Sequence, residues 1–598
     1  MLITYYLKQL LYEITEELAG ISCKKSDIRV EHPNDYKNGD LSTNLALQLF
    51  GKVKIGQSKD ITRGPGFTKT EDVDTRVKTL NYANPRQIAS DIVNLLNEKT
   101  DPKIFAKIDI AGPGFINFYL SDEFYFDQLT NIVLKKSQID DLKQQNSDKT
   151  VVIDYSAPNI AKRFNIGHLR STIIGQAIYN FYSYLGWQTI GDNHLGDWGT
   201  QFGKMIVAIK KWADKPVDQL TINEMEELYV KFHQEAEQDP SLDDEARLTF
   251  KKLEDGAEEE KQMWQTLVNQ SMQEFAKLYK ILGVDIDYAY GESFYEDLMG
   301  EVIQEAQQKG LAEKSQGALI FPFAEEENLP PAMLVKKDGA TMYFTRDLAT
   351  IKFRQQKWSP DLMVYEVGAE QTLHFKQVFK AAHKLGWAKE DQFVHIPHGL
   401  IRLKQGKMST RKGNTVKLEQ VLAEAIERAK QFNDDEKTAQ QVGVGAVKFN
   451  DLKHAPKTGY KFDWNEMITL EGDSGPYLQY SVARAHSLIK KTGLQPLEIV
   501  ENEIWRTYEP NEDEYAVLQN LYQADEVIIR AAEEFGPHLV CEFLLQLAQN
   551  FNRFYNKHRV LEAGTQEALY FRVLLVQAVI EIMSKMLKLL GIETPDEM

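Results

Sequence analysis

The chain has 598 residues, 43% hydrophobic and 26% charged, ordinary for a globular protein and long enough for about three to four domains. Its two cysteines, Cys23 and Cys541, exclude a disulfide framework or a multi-cysteine zinc site, and no apolar run of about eighteen residues offers a membrane span. The net charge of −18 argues against nucleic-acid binding over the chain as a whole, though not against a local basic surface.

The first twenty residues are apolar at helical spacing but carry Glu13, Glu16 and Glu17. Secretory and transit peptides avoid such acids, so this stretch reads as a structural amphipathic helix and the protein as cytoplasmic. Residues 1–140 predict an N-terminal α+β domain, with strands at 104–110 and 115–120. Within it, residues 51–86 are rich in Gly, Lys, Thr and Asp and poorly periodic, which predicts a long loop or insertion. Residues 135–149 are polar and read as a linker.

Residues 151–155, VVIDY, predict a buried strand, and Pro158 biases Ala157 away from helix and marks a turn. From Leu169 a helical period puts Ile173, Ile174, Ala177, Ile178, Phe181 and Leu185 on one face, with Gly186 as its C-terminal stop. The next strand is expected at 187–190, and later ones at 364–367 and 393–396. Strand, loop, helix and strand in this order open a Rossmann-type doubly wound parallel sheet, here over 150–465. Residues 205–330 are acidic and read as a helical insertion into it. Long helical patterns from 466 to 598 predict an all-α C-terminal domain, so the fold class is multidomain α/β.

Residues 154–172 read DYSAPNIAKRFNIGHLRST. A helix N-terminus presents unpaired N–H groups and partial positive charge, and so favours phosphate. Gly167 lets a flat base approach the backbone, and His168 can donate to a phosphate oxygen as charge develops on it. Asn159, Lys162, Asn165 and His168 crowd this one short turn. Further on, 402–417 carries Arg402, Lys404, Lys407, Arg411, Lys412 and Lys417 with no acid among them, and 407–413 reads KMSTRKG.

These two segments resemble the ATP-handling signatures of class I aminoacyl-tRNA synthetases. The blocks HLGDWGTQFG (194–203), MYFTRD (342–347), GAEQTLHFKQ (368–377), GDSGPYLQYSVAR (472–484), FNRFYNKHRV (551–560) and LLGIETPDEM (589–598) narrow the resemblance to arginyl-tRNA synthetases, over nearly the whole chain. It implies activation of L-arginine with ATP to arginyl-adenylate, then transfer to the terminal adenosine of tRNA(Arg), with pyrophosphate and AMP released. Mg2+ would accompany ATP, held by phosphates and water, with no structural metal on the protein. The resemblance further implies a monomer, and amino acid activation that requires bound tRNA.

Neither step needs a protein nucleophile, so catalysis is expected to be positioning and electrostatic support, with His168 and lysines supplying positive charge. The family pattern assigns catalysis to Lys162, Asn165, His168, Lys407, Met408, Ser409, Arg411 and Lys412. Thr410 stands where the generic class I loop has its second lysine. Lys162 is expected to supply the missing charge, with Arg411 or Lys412 assisting. ATP contacts are expected from Pro158, Lys162, Gly167, His168 and Gly199.

A guanidinium is planar, always charged and rich in donors, so its pocket needs carboxylates and profits from an aromatic face. The resemblance places Glu292, Tyr343 and Asp347 at the guanidinium, Asn159 and Gln371 near the α-amino group, Asn165 at the carboxylate, and Asp154 as a further acid. For tRNA it points to Tyr477, Arg484, Arg553, Lys557 and Arg559, beside Tyr555 and His558, a basic and aromatic mix that suits unstacked bases. The N-terminal domain resembles the family's tRNA-elbow domain. Another class I synthetase and a non-enzymatic tRNA-binding paralogue remain open as alternatives.

Overall fold

The computed structural model describes residues 2–18, 23–33, 35–57, 82–402 and 417–598. The chain divides into two compact units: Met1–Asp140 with Ile489–Glu526 and Gln549–Ile582, and Asp141–Leu488 with Val527–Ala548 and Met583–Met598.

In the first unit a three-stranded antiparallel sheet runs in the order β1 (Leu41–Thr43), β3 (Phe115–Leu120), β2 (Phe105–Ala111). The helices Ile3–Glu17, Leu45–Gln57, Pro85–Lys99 and Asp122–Val133 belong to the same unit. The expected loop over 51–86 is helical at both ends, in Leu45–Gln57 and from Pro85, and residues 58–81 lie outside the described set. Asp40 is the polar hub: it accepts from the Leu120 N–H at 2.8 Å, from Gln519 at 3.0 Å and from the Tyr125 hydroxyl. Glu526 likewise accepts from Thr4 and faces His32 at 3.1 Å. Segments distant in sequence thus share one buried polar network, in which each group needs the others to replace lost water.

The second unit is built on a parallel sheet in the order β10 (Phe393–His398), β9 (Leu362–Gly368), β4 (Thr150–Asp154), β5 (Gln188–Asp192). Val151, Val152 and Ile153 are buried, as an apolar central strand requires. The Ile166–Tyr184 helix carries the chain from β4 to β5. It lies close to the strand end because position 175 is glycine: a Cβ there would come within 2.3 Å of the Tyr155 side chain. Strand order reverses between β5 and β9, on either side of β4, and ligands of such sheets bind at the carboxyl ends beside this switch.

The insertion between β5 and β9 is only partly the helical block expected at 205–330. The helices Thr200–Trp212, Ile222–Ala236, Ser241–Glu254, Glu258–Leu282 and Glu296–Gln308 are followed by an antiparallel sheet of β6 (Glu313–Ser315), β7 (Ala318–Phe321) and β8 (Ala332–Val335). Gln316 and Gly317, both at positive φ (50° and 86°), turn β6 into β7. Strands of three and four residues are too short to show alternation, and Gln-Gly is a weak hairpin signal. The expected linker at 135–149 contains the helix Asp140–Asn146, whose Asn146 is buried and donates to the Leu185 carbonyl at 3.0 Å. Beyond β11 (Ile401–Arg402) and β12 (Tyr460–Lys461), which pair in parallel, the described chain is helical.

Candidate active site

Strand β4 ends in a strained turn. Ser156, Ala157 and Ala161 all hold positive φ, at 74°, 42° and 57°. Each such non-glycine residue costs about 1–3 kcal/mol and persists only where its surroundings over-determine it. Here the Ser156 N–H donates to Ser171 Oγ at 2.9 Å, and Ser156 Oγ lies 2.8 Å from both Thr172 Oγ1 and the Tyr279 hydroxyl. The Ala157 N–H donates to Asn193 Oδ1 and the Ala161 N–H to Ser271 Oγ, each at 2.9 Å. The turn after β5 lies alongside: the Gly196 N–H donates to the Pro158 carbonyl and the Ile160 N–H to the Gly196 carbonyl, both at 3.1 Å, which sets Asn159 against Gly196. Gly199, at φ 120°, precedes the Thr200–Trp212 helix. Asp197 is buried and accepts from Ser293 N–H and Oγ at 2.8 and 2.7 Å, while Trp198 packs against Phe250 and Trp264.

Asn165 caps the Ile166–Tyr184 helix, its Oδ1 accepting from the exposed Gly167 N–H at 2.8 Å. That oxygen is therefore committed to the protein, and the amide NH2 is the Asn165 group able to donate to a substrate carboxylate. The Asn165 N–H in turn donates to His168 Nδ1 at 3.2 Å, so the ring proton sits on Nε2. Burial and the nearby Lys162 push the His168 pKa down to about 4. His168 is thus a neutral hydrogen-bond donor, which corrects the expectation that it brings positive charge. Lys162 Nζ lies 3.5 Å from Gln201 Oε1 and over the Tyr229 ring, 5.3 Å from its centroid.

Lys407, Met408, Ser409, Arg411 and Lys412 lie outside the described residues. The flanking chain is tied to the first motif: Lys417 bridges to Asn165, and the Leu418 N–H donates to the Phe164 carbonyl at 3.1 Å. On the other flank, buried Arg170 donates to the carbonyls of Gly399 and Thr458 at 3.0 and 2.7 Å and to Asp451 at 3.1 Å.

Carboxylates gather beyond β4 and β5. Asp154, expected as a ligand for arginine, is instead engaged by the protein's own Arg354, whose Nη2 lies 2.8 Å from both Asp154 and Asp192. All three are buried, and desolvation raises the pKa of both acids against the pull of Arg354. Glu292, Tyr343 and Asp347 do converge, around Arg346. Arg346 Nη1 is 3.5 Å from Glu292, and its guanidinium stands 5.6 Å from the Tyr343 ring centroid. Asp347 accepts from His374 Nε2 at 2.5 Å and faces His194 at 3.8 Å. Burial works to raise the Asp347 pKa, but the His374 hydrogen bond and the surrounding cations prevail and hold it below the ordinary carboxylate value. At Glu292 desolvation prevails over Arg346, and with Asp347 and Asp197 close by its pKa is pushed up to about 8. Gln371 is exposed at the carboxyl end of β9. The sequence reading does not single out Arg170, His194, Arg346, Arg354 and His374, the side chains that contact these groups. Four of them, all but Arg354, lie inside the quoted motif segments, where their position was the only available signal.

Tyr477 and Arg484 sit on the Gly475–Thr492 helix, with Arg484 over the Tyr480 ring at 4.8 Å. Arg553, Lys557 and Arg559 are exposed; Lys557 pairs with Asp513 and Arg559 with Glu562, each at 3.0 Å.

The family model for the class I (R) tRNA synthetase catalytic domain matches residues 128–464. The DALR anticodon binding domain model matches 478–598, and the arginyl tRNA synthetase N terminal domain model matches 6–120. The arginine--tRNA ligase of Exiguobacterium sp. is 44% identical over 528 residues, 86% of this chain and 90% of that protein. That of Fusobacterium nucleatum is 41% identical over 526 residues, with coverage of 86% and 90%. Two solved structures share the fold. Plasmodium falciparum arginyl-tRNA synthetase has a TM-score of 0.82 and 24% identity, covering 100% of this chain and 99% of that one. The Thermus thermophilus arginyl-tRNA synthetase has a TM-score of 0.77 and 22% identity, covering 100% of both chains.

Proposed function

We propose, for a chain that belongs to the arginyl-tRNA synthetase family, that Glu292 and Asp347 read the guanidinium of L-arginine while His168 and Lys162 act on the phosphates of ATP. The chain is an arginine--tRNA ligase: it activates L-arginine with ATP to arginyl-adenylate and transfers arginine to the terminal adenosine of tRNA(Arg), releasing pyrophosphate and AMP.

The observation that carries the residue roles is the meeting of two kinds of group at the carboxyl ends of β4 and β5. A capped helix start with a neutral imidazole donor suits phosphate chemistry, and coupled carboxyls beside an aromatic ring suit a cation. As the α-phosphate is attacked, charge accumulates on its oxygens. A fixed Nε2–H and a lysine ammonium support that charge without the reorganisation that water would need. Asn159 and Gln371 orient the α-amino group. Lys407, Met408, Ser409, Arg411 and Lys412 complete the phosphate site from the segment between Arg402 and Lys417.

A guanidinium can donate to both carboxyl groups at once, whereas an apolar side chain would desolvate them further and leave their remaining acceptor sites without a donor. Mg2+ enters with ATP, bound by its phosphates and water. Among the described residues no group of three or more His, Cys, Asp or Glu side chains could hold a metal ion. For tRNA, Tyr477, Arg484, Arg553, Lys557 and Arg559 meet the anticodon stem and loop, the N-terminal 1–140 region meets the elbow, and bound tRNA licenses activation. We further assign a monomer in the cytoplasm. No described helix is long and apolar enough to cross a membrane.

ATP–pyrophosphate exchange with each of the twenty amino acids, with and without tRNA, tests the proposal. Exchange with arginine alone, and only with tRNA present, is the expected result. Exchange with another amino acid overturns the pocket assignment, and exchange without tRNA overturns the licensing step.

A further inference from the structure

The guanidinium site already contains a guanidinium. Arg346 is 8% exposed. Its Nε and Nη2 both donate to Glu296 Oε1, at 3.2 and 2.5 Å, and its Nη1 reaches Glu292 Oε2 at 3.5 Å. It stands beside the exposed Tyr343 ring and next to Asp347 in sequence. The groups acting on Glu292 are Arg346 and Asp347 from the Tyr343–Trp358 helix, Asp197 from the turn after β5, and Glu296 from its own segment. Arg346 is the one cation among them.

We propose that Arg346 is a positioning residue that sets arginine specificity, by pairing with Glu296 and steering one oxygen of Glu292 so that the other is presented, together with Asp347, to a second, incoming guanidinium. The inference rests on the assignment of Glu292 and Asp347 to the substrate side chain.

The reasoning is one of charge and shape. Four carboxyl groups with no resident cation would hold protons more tightly still and would present no fixed arrangement of acceptors. With Arg346 bound to Glu296, that pair is neutral; Asp347 is an acceptor, and Glu292, protonated in the empty site, becomes one when an incoming guanidinium displaces its proton. Glu292 is oriented by Arg346 and Asp347 by His374. A planar fork spans both acceptors. A lysine or ornithine ammonium, a compact point donor on a flexible stem, does not match two acceptors fixed in this way.

Aminoacylation kinetics in the presence of tRNA test this with three variants of the whole protein, each first checked for parental thermal unfolding. In Arg346→Gln, kcat/KM for arginine at neutral pH is expected to fall by about tenfold or more while the ATP KM stays within about twofold. The pH at which arginine KM improves should move about one unit alkaline, because Glu292 has lost its one favourable charge. Arg346→Lys restores that pH position but leaves discrimination against lysine weakened, since it returns charge without the fork. Glu292→Gln removes the pH dependence altogether. If Glu292→Gln changes neither arginine KM nor its pH profile, the guanidinium assignment fails. If Glu292→Gln acts as described but Arg346→Gln leaves the pH position and the lysine discrimination unchanged, the assignment stands and the role given to Arg346 is overturned.

Discussion

The Asn165 backbone N–H donates to His168 Nδ1 at 3.2 Å, and this one bond fixes what His168 can do. With Nδ1 an acceptor, the proton is on Nε2. With its pKa pushed down to about 4 by burial and Lys162, the ring stays neutral throughout the physiological range. His168→Ala should lower arginine-dependent exchange about 100-fold or more, the loss of one preorganised donor to a developing oxyanion. The acid limb of the parent enzyme between about pH 5 and 8 should not belong to His168. If an acid limb in that range disappears in His168→Gln, the neutral-donor role is wrong.

Lys162 is expected to stand in for the lysine replaced by Thr410. Lys162→Ala should reduce exchange by more than about tenfold, with ATP KM rising and arginine KM little changed. Turnover within about threefold of the parent would dismiss the role.

Glu292, pushed up to about 8 by desolvation, is protonated when the site is empty at neutral pH. A guanidinium binds the carboxylate, so arginine entry expels a proton and affinity rises with pH. Below about pH 8 arginine KM should fall by up to about tenfold per unit as pH increases, then level off. Calorimetric titration in two buffers of different ionisation heat reads the released proton directly, and identical heats in both would exclude it.

The buried trio of Asp154, Arg354 and Asp192 is structural. Arg354→Met strands two carboxyl groups without their cation and should destabilise the protein by about 3–5 kcal/mol. Denaturant titration measures this, and a loss below about 1 kcal/mol would show that the acids are met by water instead.

Lys448 is buried and donates to the carbonyls of Leu282 and Gly591, each at 2.6 Å, with its pKa pushed down to about 7 by burial. The unfolded chain keeps this proton up to its ordinary value of 10.5, so between about 7 and 10.5 the unfolded state binds more protons and stability rises with pH. Lys448→Met should remove up to about 1.4 kcal/mol per pH unit of that rise. Equal pH slopes for parent and variant in denaturant titrations would show that Lys448 is charged in the fold.

Some of this was legible in the residues because it is local. Val151, Val152 and Ile153 are apolar, Pro158 marks the turn after the strand, and Asn165, Gly167 and His168 fall within one helical turn, so strand, turn and helix cap follow from short-range rules. The strands at 364–367 and 393–396 were visible for the same reason and lie within β9 and β10. β6 to β8 were not, because so few residues carry no period.

What only tertiary structure decided is which charges meet and in which ionisation state. Asp154 and Glu292 are both plain acids in the sequence, yet Asp154 is held by an arginine 200 positions away, while at Glu292 desolvation prevails over its contact with Arg346 and pushes the pKa up to about 8. Asp347 is kept ionised by His374, and His168 is kept neutral. Ionisation follows from burial and from neighbouring charge, and both arise only when distant segments pack. Sequence by itself therefore determined the family, the parallel sheet and the two signatures, and packing determined which of the named acids meets a cation of the fold and how each is ionised.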